Sequence, residues 1–360
     1  MSAPRRIGIG LRTPGTRFVP VSLCALACVV AGCRAPRGEP IAEPSAEAAA
    51  LNAADSKTLH RFTGHAMGSR VEITIDEPDA DLARRAGRAA LVELERLDRM
   101  LSDWKRESEL SRLNRSEARE AEVSAEFAEV LSRALAVAGA SGGRFDPTVG
   151  PCVRLWRASG MSSALPEPID LREARARTGW RRVSVEGATV RREPDVELDF
   201  GGIGKGYGAV RALAAARAAG CDRTMVAVSG DIAAGAAPRG QSAWVVAIEP
   251  ESAALPVECL DLVEGCVSTS GGAIQWIEIG GVRYAHIVDP RTGLGATTLA
   301  QATVVGPLDS VVDALGTALA LCEDDDAAQA ILDRFPGCRA RLERDGVARW
   351  LSARPEGSRP

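Results

Sequence analysis

Two periodicities alternate along the chain. In Arg70-Val71-Glu72-Ile73-Thr74-Ile75 every second side chain is apolar, as in a half-buried strand. From Asp79 to Leu101 the spacing changes: Leu82, Ala86, Ala90, Leu94, Leu97 and Leu101 recur three or four residues apart, which predicts an amphipathic helix capped by Asp79. A second helix is predicted over 125–140, stopped by Gly142-Gly143. Strands then dominate, at 180–185, 188–192, 196–200, 224–229, 243–249, 257–263, 282–288 and 301–306, with helices at 205–219, 309–321 and 325–334. Short turns at Glu186-Gly187 and Gly280-Gly281 favour antiparallel pairing. No internal repeat is visible. The pattern predicts an α+β fold of mixed or antiparallel sheets with flanking helices, not a βαβ alternation.

Ahead of Thr58 neither period appears. Arg5, Arg6, Arg12 and Arg17 precede an apolar run from Phe18 to Ala31, interrupted only by Pro20 and Ser22. A basic head, a short apolar middle and small residues describe a secretory signal, and the run is too short to span a bilayer. Val30-Ala31-Gly32-Cys33 resembles the lipobox of bacterial lipoproteins, in which cleavage exposes a cysteine that then carries lipid. Residues 1–32 are thus read as a lipoprotein signal peptide and Cys33 as the lipidation site; the alternative is an ordinary signal peptide. Residues 33–57, rich in Ala, Pro and Glu, read as a flexible tether, 58–351 as the folded domain and 352–360 as a disordered tail. The expected location is the cell envelope, tethered to a membrane and facing the periplasm, the inner membrane before the outer.

Composition narrows the partners. Loss of residues 1–32 removes four arginines and no acids, taking the formal charge from -4 to -8, which argues against nucleic acid. With 46% hydrophobic residues the chain can bury a sizeable core. Cys152, Cys221, Cys259, Cys266, Cys322 and Cys338 remain after processing, with no C-x-x-C pair and no zinc-finger spacing. Buried thiols are expected; whether Cys259 and Cys266, the closest pair, are bonded is not decided by spacing.

The densest glycine cluster, Asp199-Phe200-Gly201-Gly202-Ile203-Gly204-Lys205-Gly206-Tyr207-Gly208, is expected to follow a strand and open a helix. It fits neither a Walker A loop, because Gly206 follows the lysine, nor G-x-G-x-x-G from Gly202, because position 207 is Tyr. Phosphate binding at a helix N-terminus and a plain structural turn both remain open. Lys205 is one of three lysines against 41 arginines, and it stands inside this loop. His286, one of three histidines, is either a general base or a satisfied strand-end residue. Asp313 and Thr317, four apart on one helix face, offer hard oxygens suited to Mg²⁺.

Taken in order, these segments resemble the FAD:protein FMN transferases, the ApbE-like family. The resemblance rests on Met67-Gly68-Ser69, Leu101-Ser102-Asp103-Trp104 with Ser108 to Asn114, Gly143 to Gly150, Asp199 to Tyr207, Val267 to Gly271, His286 to Gly293 and Asp313 to Thr317. It implies an ApbE-like, T-fold-related, two-lobed single catalytic unit. It also implies a Mg²⁺-dependent reaction that splits FAD, joins FMN through its phosphate to a threonine of an exported or membrane redox protein, and releases AMP. Carried over by position, Gly202, Asp313 and Thr317 would hold Mg²⁺. Met67, Trp104, Arg144, Phe145, Asp146 and Lys205 would line the FAD site, and His286 would take the threonine proton. Ala227-Val228-Ser229-Gly230-Asp231 and Gly272 depart from the family's usual Asn-x-Gly-Gly-Asp and Asp or Asn. The alternatives are hydrolysis of FAD to FMN and AMP, a flavin-binding lipoprotein without turnover, and a structural envelope lipoprotein.

Overall fold

The computed structural model describes residues 7–10, 21–23, 58–271 and 276–355. Cys33, the tether, Gly272 and residues 356–360 lie outside the described residues. The frame is an eight-stranded antiparallel sheet. Its order is Val347–Ser352, Arg339–Arg344, Gln301–Pro307, Gly265–Ser270, Asp231–Ala234, Thr224–Val228, Ser69–Asp76, Leu59–Ala66.

Alternation along these strands sorts side chains onto two buried faces. Val226, Val228, Ala302 and Val304 meet the helices Ala80–Leu101, Gly204–Ala218 and Val311–Ala320. Met225, Ala227, Val267 and Val305 meet Trp244, Val246, Leu260 and Leu262 of a second sheet, built on the antiparallel strands Trp244–Ile248 and Glu258–Leu262. Ile7–Gly10 pairs antiparallel with the free side of Trp244–Ile248, and with Val21–Leu23.

The helix expected from Asp79 forms as read: Asp79 accepts from the amides of Asp81 and Leu82, and Ala83, Ala86, Ala90, Leu94 and Leu97 are buried. Its upper half packs on the sheet. Leu97, Met100 and Leu101 pass into a second core with Phe127, Leu131 and Phe200, centred on the helix Ala125–Ala140. Val311–Ala320 bridges the two cores likewise, with Leu315 and Leu319 in one and Ala314 and Ala318 in the other. These helices thus cross the seam between two of the buried cores.

Several elements differ from expectation. Residues 196–200 form no strand; a single bridge joins Val149 to Glu197, and Asp199 runs straight into the glycine turn. Trp180–Arg182 is a 3-10 turn ahead of the strand Val183–Glu186, because Gly179, with φ of 152°, breaks the extended run. The strand expected over 282–288 stops at Ala285 and resumes at Val288–Asp289, leaving His286 in a bend. The helices Glu109–Arg115, Gly150–Ser162 and Pro168–Ala176 were not anticipated. At the C-terminus the last strand runs through Ser352, and the Arg354 guanidinium grips Asp333, so order extends past the expected boundary.

Candidate active site

The glycine turn Phe200–Ile203 leads into the helix Gly204–Ala218, whose first turn lies against Val311–Ala320 so closely that side chains are excluded. A Cβ on Gly206 would stand 2.6 Å from the Cβ of Asp313, and the Gly206 amide donates to Asp313 Oδ2 at 2.9 Å. A Cβ on Gly202 would stand 3.2 Å from Thr317 Oγ1 and 3.0 Å from the Phe145 ring. Gly202, Asp313, Thr317 and Phe145 thus converge. Met67 joins them from the other side. It occupies a two-residue turn with Gly68, both at positive φ, and its Sδ and Cε press on Gly208 and Gly204.

Lys205 lies between two buried carboxylates. Its ammonium is 3.2 Å from Asp231 Oδ2 and 3.8 Å from Asp313 Oδ2, and it donates to the Gly201 carbonyl at 3.1 Å. Burial alone would pull the lysine pKa down; Asp231 and Asp313 outweigh it and hold the ammonium above the usual lysine range. Asp313 is 2% exposed, and burial, reinforced by Asp231, raises its carboxyl to about 7. Ser268 donates to Asp231 Oδ1 at 2.6 Å, directly across the strand pair. Ser268 and Ser270 also floor Gly316, one turn from Asp313. Asp231, Ser268 and Ser270 share the helix-facing side of the sheet and complete a pocket floor that sequence reasoning had not assembled.

The remaining expected residues are tied in at longer range. Phe145 is buried against Gly202. Asp146 is consumed by its own loop, accepting from the Thr148 amide and hydroxyl at 2.8 and 2.6 Å and from the Trp180 amide at 3.0 Å. Its part is to fix the loop that carries Phe145. Arg144 donates to Glu323 Oε2 at 2.7 Å. Glu323 also binds Arg291, whose guanidinium chelates Asp289 in the turn that follows His286. The Arg144 and Arg291 hydrogen bonds hold the Glu323 carboxyl down to about 2. One carboxylate therefore links the Phe145 loop, the end of the Asp313 helix and the His286 turn. His286 is exposed, just beyond the hairpin Trp276–Ile279 and Val282–Ala285. Trp104 is 67% exposed, with the Arg157 guanidinium 4.2 Å from its ring centroid. Arg157 binds Asp103 and lies 3.8 Å from Asp199 at the head of the glycine turn.

Sequence reasoning singled out the segments that carry Asp231 and Ser268 but gave neither residue a role, and it missed Arg157 and Glu323; Asp231 stands straight after the Ser229-Gly230 turn, where Ser229 has a φ of 56°. Cys152, Cys221, Cys266, Cys322 and Cys338 are buried thiols, as expected, whereas Cys259 lies exposed.

The donor set around Lys205 is all oxygen: two carboxylates, the Thr317 hydroxyl and the backbone of the glycine turn. Among the described residues no three His, Cys, Asp or Glu side chains gather as a metal-binding group. A donor set of a few protein oxygens, without thiolate or imidazole, suits Mg²⁺ rather than zinc.

Known proteins share this fold. The chain is 27% identical over 349 residues to the FAD:protein FMN transferase of Klebsiella pneumoniae (strain 342), covering 93% of this chain and 95% of that protein. It is 29% identical over 268 residues to the FAD:protein FMN transferase of Vibrio cholerae, covering 72% and 80% respectively. The solved flavin transferase ApbE from Vibrio cholerae superposes with a TM-score of 0.70 at 26% identity, over 82% of this chain and 97% of that one. The ApbE protein from Thermotoga maritima superposes with a TM-score of 0.73 at 26% identity and the same coverage. The ApbE family model spans residues 67–342, from the Met67 turn into the strand Arg339–Arg344, second from the sheet edge, and by that match the chain belongs to the ApbE family.

Proposed function

We propose that this protein is an FAD:protein FMN transferase that splits FAD, joins FMN through its phosphate to a threonine hydroxyl of an acceptor protein and releases AMP. The observation that carries this reading is the buried carboxylate pair Asp231 and Asp313 around Lys205, set under the helix start at Gly204. A pyrophosphate needs positive charge in a site screened from water; the two carboxylates would hold a divalent cation that supplies it beside the Lys205 ammonium.

Asp313, Thr317 and the Gly202 carbonyl would hold Mg²⁺, which when bound neutralises phosphate charge and polarises the P–O bond. Lys205 offers a fixed cation to a phosphate oxygen, and the glycine turn, free of side chains, lets the anion come close to the backbone. Met67 and Phe145 wall the same space, and Trp104 presents a ring for stacking. His286, exposed in its bend, would take the proton of an incoming threonine hydroxyl. The acceptor we infer is an exported or membrane redox subunit, and the protein reaches it as a periplasm-facing lipoprotein anchored through Cys33.

The test is incubation with FAD, Mg²⁺ and an exported acceptor domain carrying a Ser/Thr-Gly-Ala-Thr segment. AMP release matched by an acceptor mass gain of one FMN is expected, and Asp313→Ala is expected to stop both. Free FMN with an unlabelled acceptor would make the protein an FAD hydrolase. Full activity of Asp313→Ala at low Mg²⁺ would remove the metal assignment.

A further inference from the structure

Trp104 is held in an unusual way. The loop beneath it is fastened by hydroxyls: Ser108 and Ser111 donate to the Ser102 carbonyl, and Ser111 also to that of Asp103 at 3.2 Å. The backbone is fixed, yet the indole stands out from it, 67% exposed. The group stacked on it is the guanidinium of Arg157, which arrives from the helix Gly150–Ser162, more than fifty residues along the chain. Arg157 is itself pinned by Asp103 and by Asp199, a carboxylate only 9% exposed whose Oδ1 accepts from the Gly201 amide at 2.7 Å.

We propose that Arg157 is a positioning residue for flavin binding: it covers one face of the Trp104 indole and fixes that ring, relative to the glycine turn, as a platform whose open face stacks on the isoalloxazine. This rests on the flavin reading above. A planar cation on one face of an indole does two things. It sets the side-chain rotamer before the ligand arrives, which lowers the ordering cost of binding. It also polarises the ring, and the attraction strengthens once the ligand excludes water. Arginine suits this better than lysine, because its flat guanidinium stacks while its edge still meets two carboxylates.

The test is a double-mutant cycle in the full chain with Arg157→Leu and Trp104→Ala, titrating FAD, FMN and AMP by flavin fluorescence and calorimetry. Arg157→Leu is expected to weaken FAD and FMN roughly three- to thirtyfold and to leave AMP unchanged. In the Trp104→Ala background the same substitution should change flavin affinity by less than about twofold, the mark of residues acting through one another. Arg157→Lys, which keeps a cation beside Asp199, should preserve the melting temperature and recover only part of the affinity. Equal losses with and without Trp104, or an equal loss for AMP, would assign Arg157 to the glycine turn and overturn this inference alone. Failure of the wild-type chain to bind FAD would overturn the flavin reading and this inference together.

Discussion

His286 and Asp313 show how differently single residues depend on their surroundings. Asp313 is walled in by Gly206, Lys205 and Asp231. His286 is a surface side chain in a bend, three residues before Asp289 of the Asp289–Arg291–Glu323 linkage. A proton acceptor for a protein substrate has to be reachable, and this one is. His286→Ala should therefore bind FAD normally and transfer FMN roughly a hundred- to ten-thousandfold more slowly. Single-turnover transfer at saturating FAD measures this; an unchanged rate, or a loss traced wholly to weaker FAD binding, would strip His286 of the role. The residues legible in the sequence were those whose identity carries the signal: a lysine in an arginine-rich chain, a histidine before Asp-Pro, an Asp and a Thr one turn apart. Arg157 and Glu323 were illegible because each acts through partners far along the chain, and one arginine among 41 carries no mark of its own.

Elements were readable where one face meets water. The helix Ala80–Leu101 shows its period because its outer face is polar. Thr224–Val228, buried on both faces, reads as an apolar run, and Gly265–Ser270 as a run of small residues that hides a central strand. Gly150–Ser162 was obscured by Gly150 and Pro151 at its start and Gly160 near its end, though proline in a first turn is well tolerated. At the Gly204–Ala218 helix the glycines are there for closeness. Gly206→Ala would improve helix propensity by about 1 kcal/mol, but its methyl would overlap Asp313, and overpacking costs about 1–3 kcal/mol. We expect a melting temperature lower by about 2–4 °C and a disproportionate loss of FAD cleavage, as the two helices part. Wild-type melting and turnover together would show that the helices separate freely.

At the scale of the whole molecule, two cores share helices, and the site lies along that seam, within reach of both. Among the described residues no helix is long and apolar enough to cross a membrane. The membrane attachment proposed above is through Cys33, and Cys33→Ser should shift the protein from the membrane fraction to the soluble or unprocessed one; unchanged partitioning would disprove the lipid anchor.

Lys205 has one more consequence. Set between two acids, it is an internal counter-ion, a resident cation that keeps the two carboxylates from repelling each other. Small metal-stapled domains lack such a device and unfold when stripped. This protein should instead melt cooperatively in a chelator, with Mg²⁺ adding only the stability that mass action gives a bound ligand, about 2.7 kcal/mol at a hundredfold excess over Kd. Lys205→Met leaves Asp231 and Asp313 facing each other unshielded, so the gap between chelated and Mg²⁺-saturated melting temperatures should widen. An unchanged gap would mean that the ammonium does not screen the two carboxylates from each other, and that the site tolerates its own charge by other means.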